Sequence, residues 1–146
     1  AGEVLTAEDG ATTAVPVEEY PHAILTPVIR AGERFAFSMS NPPFFETRDE
    51  AARNPNTTFG GTNAEMVCEG GELAFVRRMV TESFALGPAV HWYSSMVGRK
   101  VTLKAILALL RAHRPRVAIR TTNFVQGKTT RWGVAWSFAP AALAAE

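Results

Sequence analysis

The stretch Phe35-Ala36-Phe37-Ser38-Met39-Ser40-Asn41-Pro42-Pro43-Phe44-Phe45 decides the fold, because it reads as a short strand driven into a stiff polar turn. Phe35, Phe37 and Met39 alternate with Ala36, Ser38 and Ser40, the two-residue period of a strand. Two successive prolines end that strand. Neither has an N–H to give to a ladder, and together they hold Asn41 extended. Asn41 is therefore expected at the carboxyl end of a strand with its amide directed outward, which is where open α/β sheets bind ligands. The competing interpretation is a strand followed by a proline turn that binds nothing, since such turns are common punctuation.

Downstream, Glu46 to Gly61 is polar and rich in turn formers, a long loop of the kind that carries binding residues. Glu69-Gly70-Gly71-Glu72 lacks the spacing of a phosphate cradle and reads as a turn and helix entry. From Glu72 to Phe84, the residues Leu73, Val76, Met79, Val80 and Phe84 recur at three- and four-residue spacing, predicting an amphipathic helix stopped by Gly87-Pro88. Val90 to Val97 reads as an apolar, aromatic strand. Thr102 is placed to cap a second helix with Leu103, Ile106, Leu107 and Leu110 inward, ended by Pro115. Arg116–Val125 and Arg131–Phe138 read as an antiparallel hairpin around the loop Gln126 to Thr130, with Trp132, Val134, Trp136 and Phe138 on one face. Ala139 to Glu146 is expected to be a frayed tail.

This order predicts an α/β chain with a mostly parallel sheet and an antiparallel C-terminal hairpin. It divides into a poorly patterned lead-in at 1–34, the organised part at 35–138 and the tail at 139–146.

At 146 residues the chain has room for one ordinary domain, and 47% hydrophobic residues with nine Phe and three Trp give it a packed core. The run Ala105 to Leu110 is far short of the ~20 residues of a membrane span, and no basic-then-apolar signal segment stands at the start. Cys68 is the one cysteine, which excludes a disulfide framework and a thiolate zinc site and makes an intracellular setting the default. The net charge of +1 conceals an asymmetry: residues 1–50 hold nine acidic and three basic residues, whereas 51–146 hold five acidic and twelve basic ones. No acidic residue lies between Glu82 and Glu146, a tract that contains Arg99, Lys100, Lys104, Arg111, Arg114, Arg116, Arg120, Lys128 and Arg131. That is the footprint of a half facing a polyanion, nucleic acid first among them; the alternative is a solvated surface balanced by the acidic half.

His22, His91 and His113 are scattered without metal-ligand spacing, and Ser94-Ser95 has neither a nucleophile elbow nor an acid nearby in sequence, so no metal site or hydrolase triad is expected. What remains is Asn-Pro-Pro-Phe beside a basic hairpin. Methylation of an exocyclic amine can use that arrangement, because such a nitrogen is a poor nucleophile until acceptors hold its two hydrogens. The Asn41 side-chain oxygen and the Pro42 carbonyl supply two acceptors, Pro42 and Pro43 keep them aimed, and Phe44 can stack on a planar base.

Ser40 to Phe45, Arg53-Asn54-Pro55, Gly60-Gly61, Glu69 to Leu73, Trp92-Tyr93-Ser94-Ser95-Met96, Gln126-Gly127-Lys128-Thr129 and Arg131 to Phe138 follow one another as they do in the methyltransferase-like protein 16 family, which this chain resembles from about Phe35 to Phe138. The resemblance implies the carboxyl-terminal half of a class I, Rossmann-like catalytic domain that uses S-adenosylmethionine to methylate adenine N6 in structured RNA. Its targets would be U6 small nuclear RNA or messenger hairpins, or ribosomal RNA as in bacterial relatives, with a nuclear location for the eukaryotic branch. It further implies that Asn41, Pro42, Pro43 and Phe44 hold the adenine, that Asn41 also lies beside the methyl donor, and that Arg53, Lys128 and Arg131 contact RNA phosphates. Lys128 stands where the family usually has arginine. The glycine-rich donor loop and the acidic residue that bind the donor in such domains have no counterpart in these 146 residues. Two alternatives therefore stay open: a non-catalytic RNA-binding remnant, and an amino-methyltransferase acting on guanine or on a protein glutamine.

Overall fold

The structure is a computed structural model, and it describes residues 23–43, 68, 70–113, 116–139 and 142. Strand β1 spans Phe35–Phe37, helix α1 Gly71–Leu86, strand β2 Val90–Val97, helix α2 Lys100–Ala112, strand β3 Ala118–Gln126 and strand β4 Thr129–Ser137. The sheet order is β1-β2-β4-β3. β1 runs parallel to β2, with Phe35 opposite Val90 and Phe37 opposite Trp92. β4 is antiparallel both to β2, with Met96 opposite Gly133, and to β3, with Thr122 opposite Gly133 and Phe124 opposite Arg131.

Helix α1 begins where only a glycine fits. Gly70 has φ +74, and a Cβ there would stand 2.6 Å from the Ala74 Cβ. At its other end the Gly87 N–H donates to the Ser83 carbonyl, and a single 3-10 turn, Gly87–Ala89, carries Pro88. Helix α2 starts earlier than its sequence suggests. Arg99 is the N-cap with no capping side chain, the Leu103 N–H donates to the Arg99 carbonyl at 3.1 Å, and Thr102 is buried inside the first turn instead of capping it.

Both helices lie on one face of the sheet. Val76, Met79 and Val80 of α1 and Ile106 and Leu110 of α2 meet Tyr93 and Val97 of β2 and Val134 and Trp136 of β4. At the centre the Tyr93 and Trp136 rings stack with centroids 5.8 Å apart, and their polar atoms are satisfied. Trp136 Nε1 donates to Ser83 Oγ at 2.9 Å, Ser83 Oγ donates to the Val80 carbonyl at 2.6 Å, and Tyr93 Oη donates to the Gly87 carbonyl at 2.8 Å. Burial pushes the Tyr93 phenol up to about 12, only partly offset by a hydrogen bond with the Val90 backbone, so it stays a neutral donor.

Side chains alternate across a strand, so Trp92, Ser94 and Met96 of β2 and Gly133 and Ala135 of β4 belong to the opposite face. Ala139 and Ala142, buried against Ala118 and Trp92, cover one end of that face. These two residues of the expected frayed tail are thus packed, held by the Ala142 N–H to Ala139 carbonyl bond at 3.0 Å; small side chains let the backbone lie close on the sheet. No helix among the described residues is long and apolar enough to cross a membrane.

Candidate active site

β1 stays attached to β2 beyond its last strand residue. The Ser38 N–H donates to the Trp92 carbonyl at 2.9 Å, the Ser40 N–H to the Ser94 carbonyl at 3.1 Å, and the Met96 N–H to the Ser40 carbonyl at 2.9 Å. Side chains reinforce the seam: Ser94 Oγ donates to the Ser38 carbonyl at 2.7 Å, and Ser40 Oγ lies 2.9 Å from Ser95 Oγ. The chain is therefore held up to Ser40 and released at Asn41. Asn41 is exposed, Pro42 is fully buried and Pro43 is half-buried. Burying the proline behind it anchors Asn41 at the sheet's carboxyl end without any helix or metal.

Asn41 lines a cavity of about 550 Å³ on the open face. Ser94, Met96, Gly133 and Ala135 form part of its floor, and Arg120, Thr122 and Phe124 of β3 stand along its far side. Small residues keep that floor low. A Cβ on Gly133 would come 3.0 Å from Thr122 Cγ2 and 3.2 Å from Phe124 Cε2. The volume falls in the ~300–1,000 Å³ range of small-molecule sites. The cavity thus combines an amide at one rim, an aromatic ring that is 53% exposed at the other, and a guanidinium on the same strand as that ring.

Asn41 and its two prolines are thereby brought together with the hairpin strands. Phe44 and Arg53 lie outside the described residues. Lys128 sits exposed in the two-residue turn at the hairpin tip, and the half-buried Arg131 has Nη1 3.4 Å from the Thr130 carbonyl. Neither lines the cavity, although Arg131 pairs with Phe124, which does. Sequence reasoning missed Arg120 and Phe124 as site residues. The signal available was their alternation with Ile119 and Thr121, which assigns them to the face shared with Gly133 and Ala135. Among the described residues no three His, Cys, Asp or Glu side chains gather.

A family model described as RNA methyltransferase matches residues 11–140. Ribosomal RNA large subunit methyltransferase F of Yersinia pestis (strain Pestoides F) is 38% identical, over 81% of this chain and 40% of that protein. Among solved structures, the hMettl16 catalytic domain in complex with the MAT2A 3'UTR hairpin 1 superposes with a TM-score of 0.63 at 38% identity, over 76% of this chain and 42% of that one. The N-terminal domain of human METTL16 in complex with SAH gives a TM-score of 0.56 at 34% identity, over 79% of this chain and 38% of that one. The chain spans about two fifths of the length of these relatives. With its strand-and-hairpin sheet, its helix pair and a family match running through nearly all of it, the chain belongs to the RNA methyltransferase family and forms part of a class I methyltransferase domain.

Proposed function

We propose that this chain is the substrate-binding half of an S-adenosylmethionine-dependent RNA methyltransferase that acts on adenine N6. The observation that carries the proposal is the position of Asn41: exposed beyond the end of β1, pinned by the buried Pro42, and on the rim of a cavity whose floor includes Ser94, Gly133 and Ala135. In this scheme the Asn41 Oδ1 and the Pro42 carbonyl accept the two hydrogens of the exocyclic amine and so localise its lone pair. Phe44 stacks on the base, and Phe124 offers a second ring across the cavity. The target nucleotide must leave its helix to enter. S-adenosylmethionine, when bound beside Asn41, supplies the methyl group. The residues of this chain contribute orientation and hydrogen-bond acceptance in place of a titrating base. Arg53, Lys128 and Arg131 are assigned to phosphates. The RNA is structured, of the small nuclear, messenger-hairpin or ribosomal kind, as the hairpin complex and the ribosomal relative support.

The test is Asn41→Ala in the whole catalytic domain, with an adenosine-containing hairpin and nucleoside analysis of the product. N6-methyladenosine should disappear while RNA affinity stays nearly unchanged; methylation that survives, or that appears on guanine or on a protein glutamine, defeats the assignment. A second reading is an RNA-binding module without catalysis, in which the basic tract from Arg99 to Arg131 holds RNA. Micromolar binding of S-adenosylmethionine by the 146 residues alone would contradict it.

A further inference from the structure

Thr121 of the edge strand β3 lines two cavities. One is the Asn41 cavity. The other, also about 550 Å³, lies on the helix side of the sheet between the carboxyl-terminal part of α2 and β3, where Leu110 and Ile119 form its base and Arg111, His113 and Arg116 its walls. Among the described strands β3 has a neighbour on one side only, so a chain leaving the first cavity has a single described strand to pass before it meets the second.

Two guanidinium groups are among the residues that line the second cavity. Arg111 and Arg116 are both exposed there, and the sequence places no carboxylate anywhere between Glu82 and Glu146. Arg111 stands in the last turn of α2, where a cation also offsets the partial negative charge of the helix end. His113 provides a flat wall and no charge. Its ring stacks on Phe84 with centroids 3.8 Å apart, and burial lowers its pKa, keeping it neutral near pH 7.

We propose that this second cavity is a backbone subsite for the RNA strand flanking the target nucleotide, in which Arg111 and Arg116 hold phosphodiester oxygens after the strand has passed over β3 at Thr121. The proposal rests on the RNA reading above and extends it to residues on the far face of the sheet. Arginine suits the task because its planar fork matches phosphate geometry.

The experiment uses the 146-residue chain and fluorescence anisotropy with two labelled RNAs, a hairpin whose single strand runs several nucleotides past the target adenosine and a short oligomer centred on that adenosine. For Arg111→Ala/Arg116→Ala, affinity for the extended hairpin should fall roughly tenfold, and the slope of log affinity against log salt should flatten by roughly 1.4, or 0.7 for each lost phosphate contact. The short oligomer should be unaffected. Arg111→Lys/Arg116→Lys should restore the salt slope, which a merely structural defect would not do. Equal affinities for the extended hairpin in wild type and the Ala variant would overturn the subsite and leave the RNA reading intact. So would equal losses for the two RNAs, or saturation of the cavity by inorganic phosphate with no dependence on RNA length, which would mark a small-anion site. Failure of the wild-type chain to bind either RNA would defeat the subsite together with the RNA reading.

Discussion

Glu82 is 3% exposed, and its carboxylate accepts three backbone N–H groups: Ile24 at 2.7 Å on Oε1, and Leu25 at 2.7 Å and Thr26 at 2.8 Å on Oε2. These donors open a helical turn, closed by bonds from the Val28 and Ile29 N–H groups to the Leu25 carbonyl, so they have no ladder partners of their own. One side chain of α1 thereby ties down the segment that leads into β1. Glu82→Ala leaves the buried Leu25 N–H and the part-buried Ile24 and Thr26 N–H groups without their acceptor, and it should lower unfolding free energy by on the order of 3 kcal/mol in urea titrations, with Glu82→Gln losing less. An Ala variant as stable as wild type would show that the turn holds itself. His113 acts at the same scale through pH. Burial lowers its folded-state pKa below the ordinary value of about 6.5, so between those two values the unfolded chain binds more protons and stability rises with pH. Its contribution is complete above about 6.5 and is lost as pH falls through that value toward the folded-state pKa. The ring is only half-buried, so the effect is small. His113→Phe keeps the stack on Phe84 and should shrink the drop in Tm between pH 7.5 and 5.5; an unchanged drop would assign that acid sensitivity elsewhere.

The hairpin was legible as an element, and its tip was not. Alternation of Trp132, Val134 and Trp136 marked the inward face of β4, and the structure buries Val134 and Trp136 completely. The sequence suggested a loop from Gln126 to Thr130, whereas the turn is only Gly127-Lys128, with Gly127 at φ +59, and Thr129 and Thr130 extend β4. β-branched threonines favour strand, and a left-handed glycine is what a two-residue hairpin turn needs. The site shows the same division. Proline stiffness exposed Asn41 to sequence reasoning, but only cross-strand register brings Arg120 and Phe124 opposite it, and register is a property of the paired sheet. The shorter turn carries Lys128 to the tip, outside the cavity lining. Lys128→Ala/Arg131→Ala should therefore weaken binding to all RNAs alike, flatten the salt slope by roughly 0.7 per contact to single strands and leave kcat at saturating RNA intact. An unaltered slope with a normal KM would reduce both residues to turn charges.

At the scale of the molecule, the sheet has one covered face and one partly open face, and the open face is more apolar than a solvated surface should be. Phe37 pairs with Trp92 and so shares its face, Met39 lines the cavity there, and Phe124 lies across from them. Phe37 is 63% exposed and Met39 79% exposed, at the outer strand of the sheet, where β1 has no second neighbour among the described strands. An apolar stripe on an unpaired edge invites another strand, because pairing would satisfy the backbone and bury the side chains together. In a solution of this chain by itself, the strand on offer is β1 of another copy. The weight-average mass in sedimentation equilibrium should therefore rise with concentration, and Phe37→Lys, which sets a charge in the stripe without touching the helix-side core, should return the chain to monomer. If the Lys variant associates as wild type does, the stripe is not the contact. If wild type stays monomeric at high concentration, the edge is already protected within the chain.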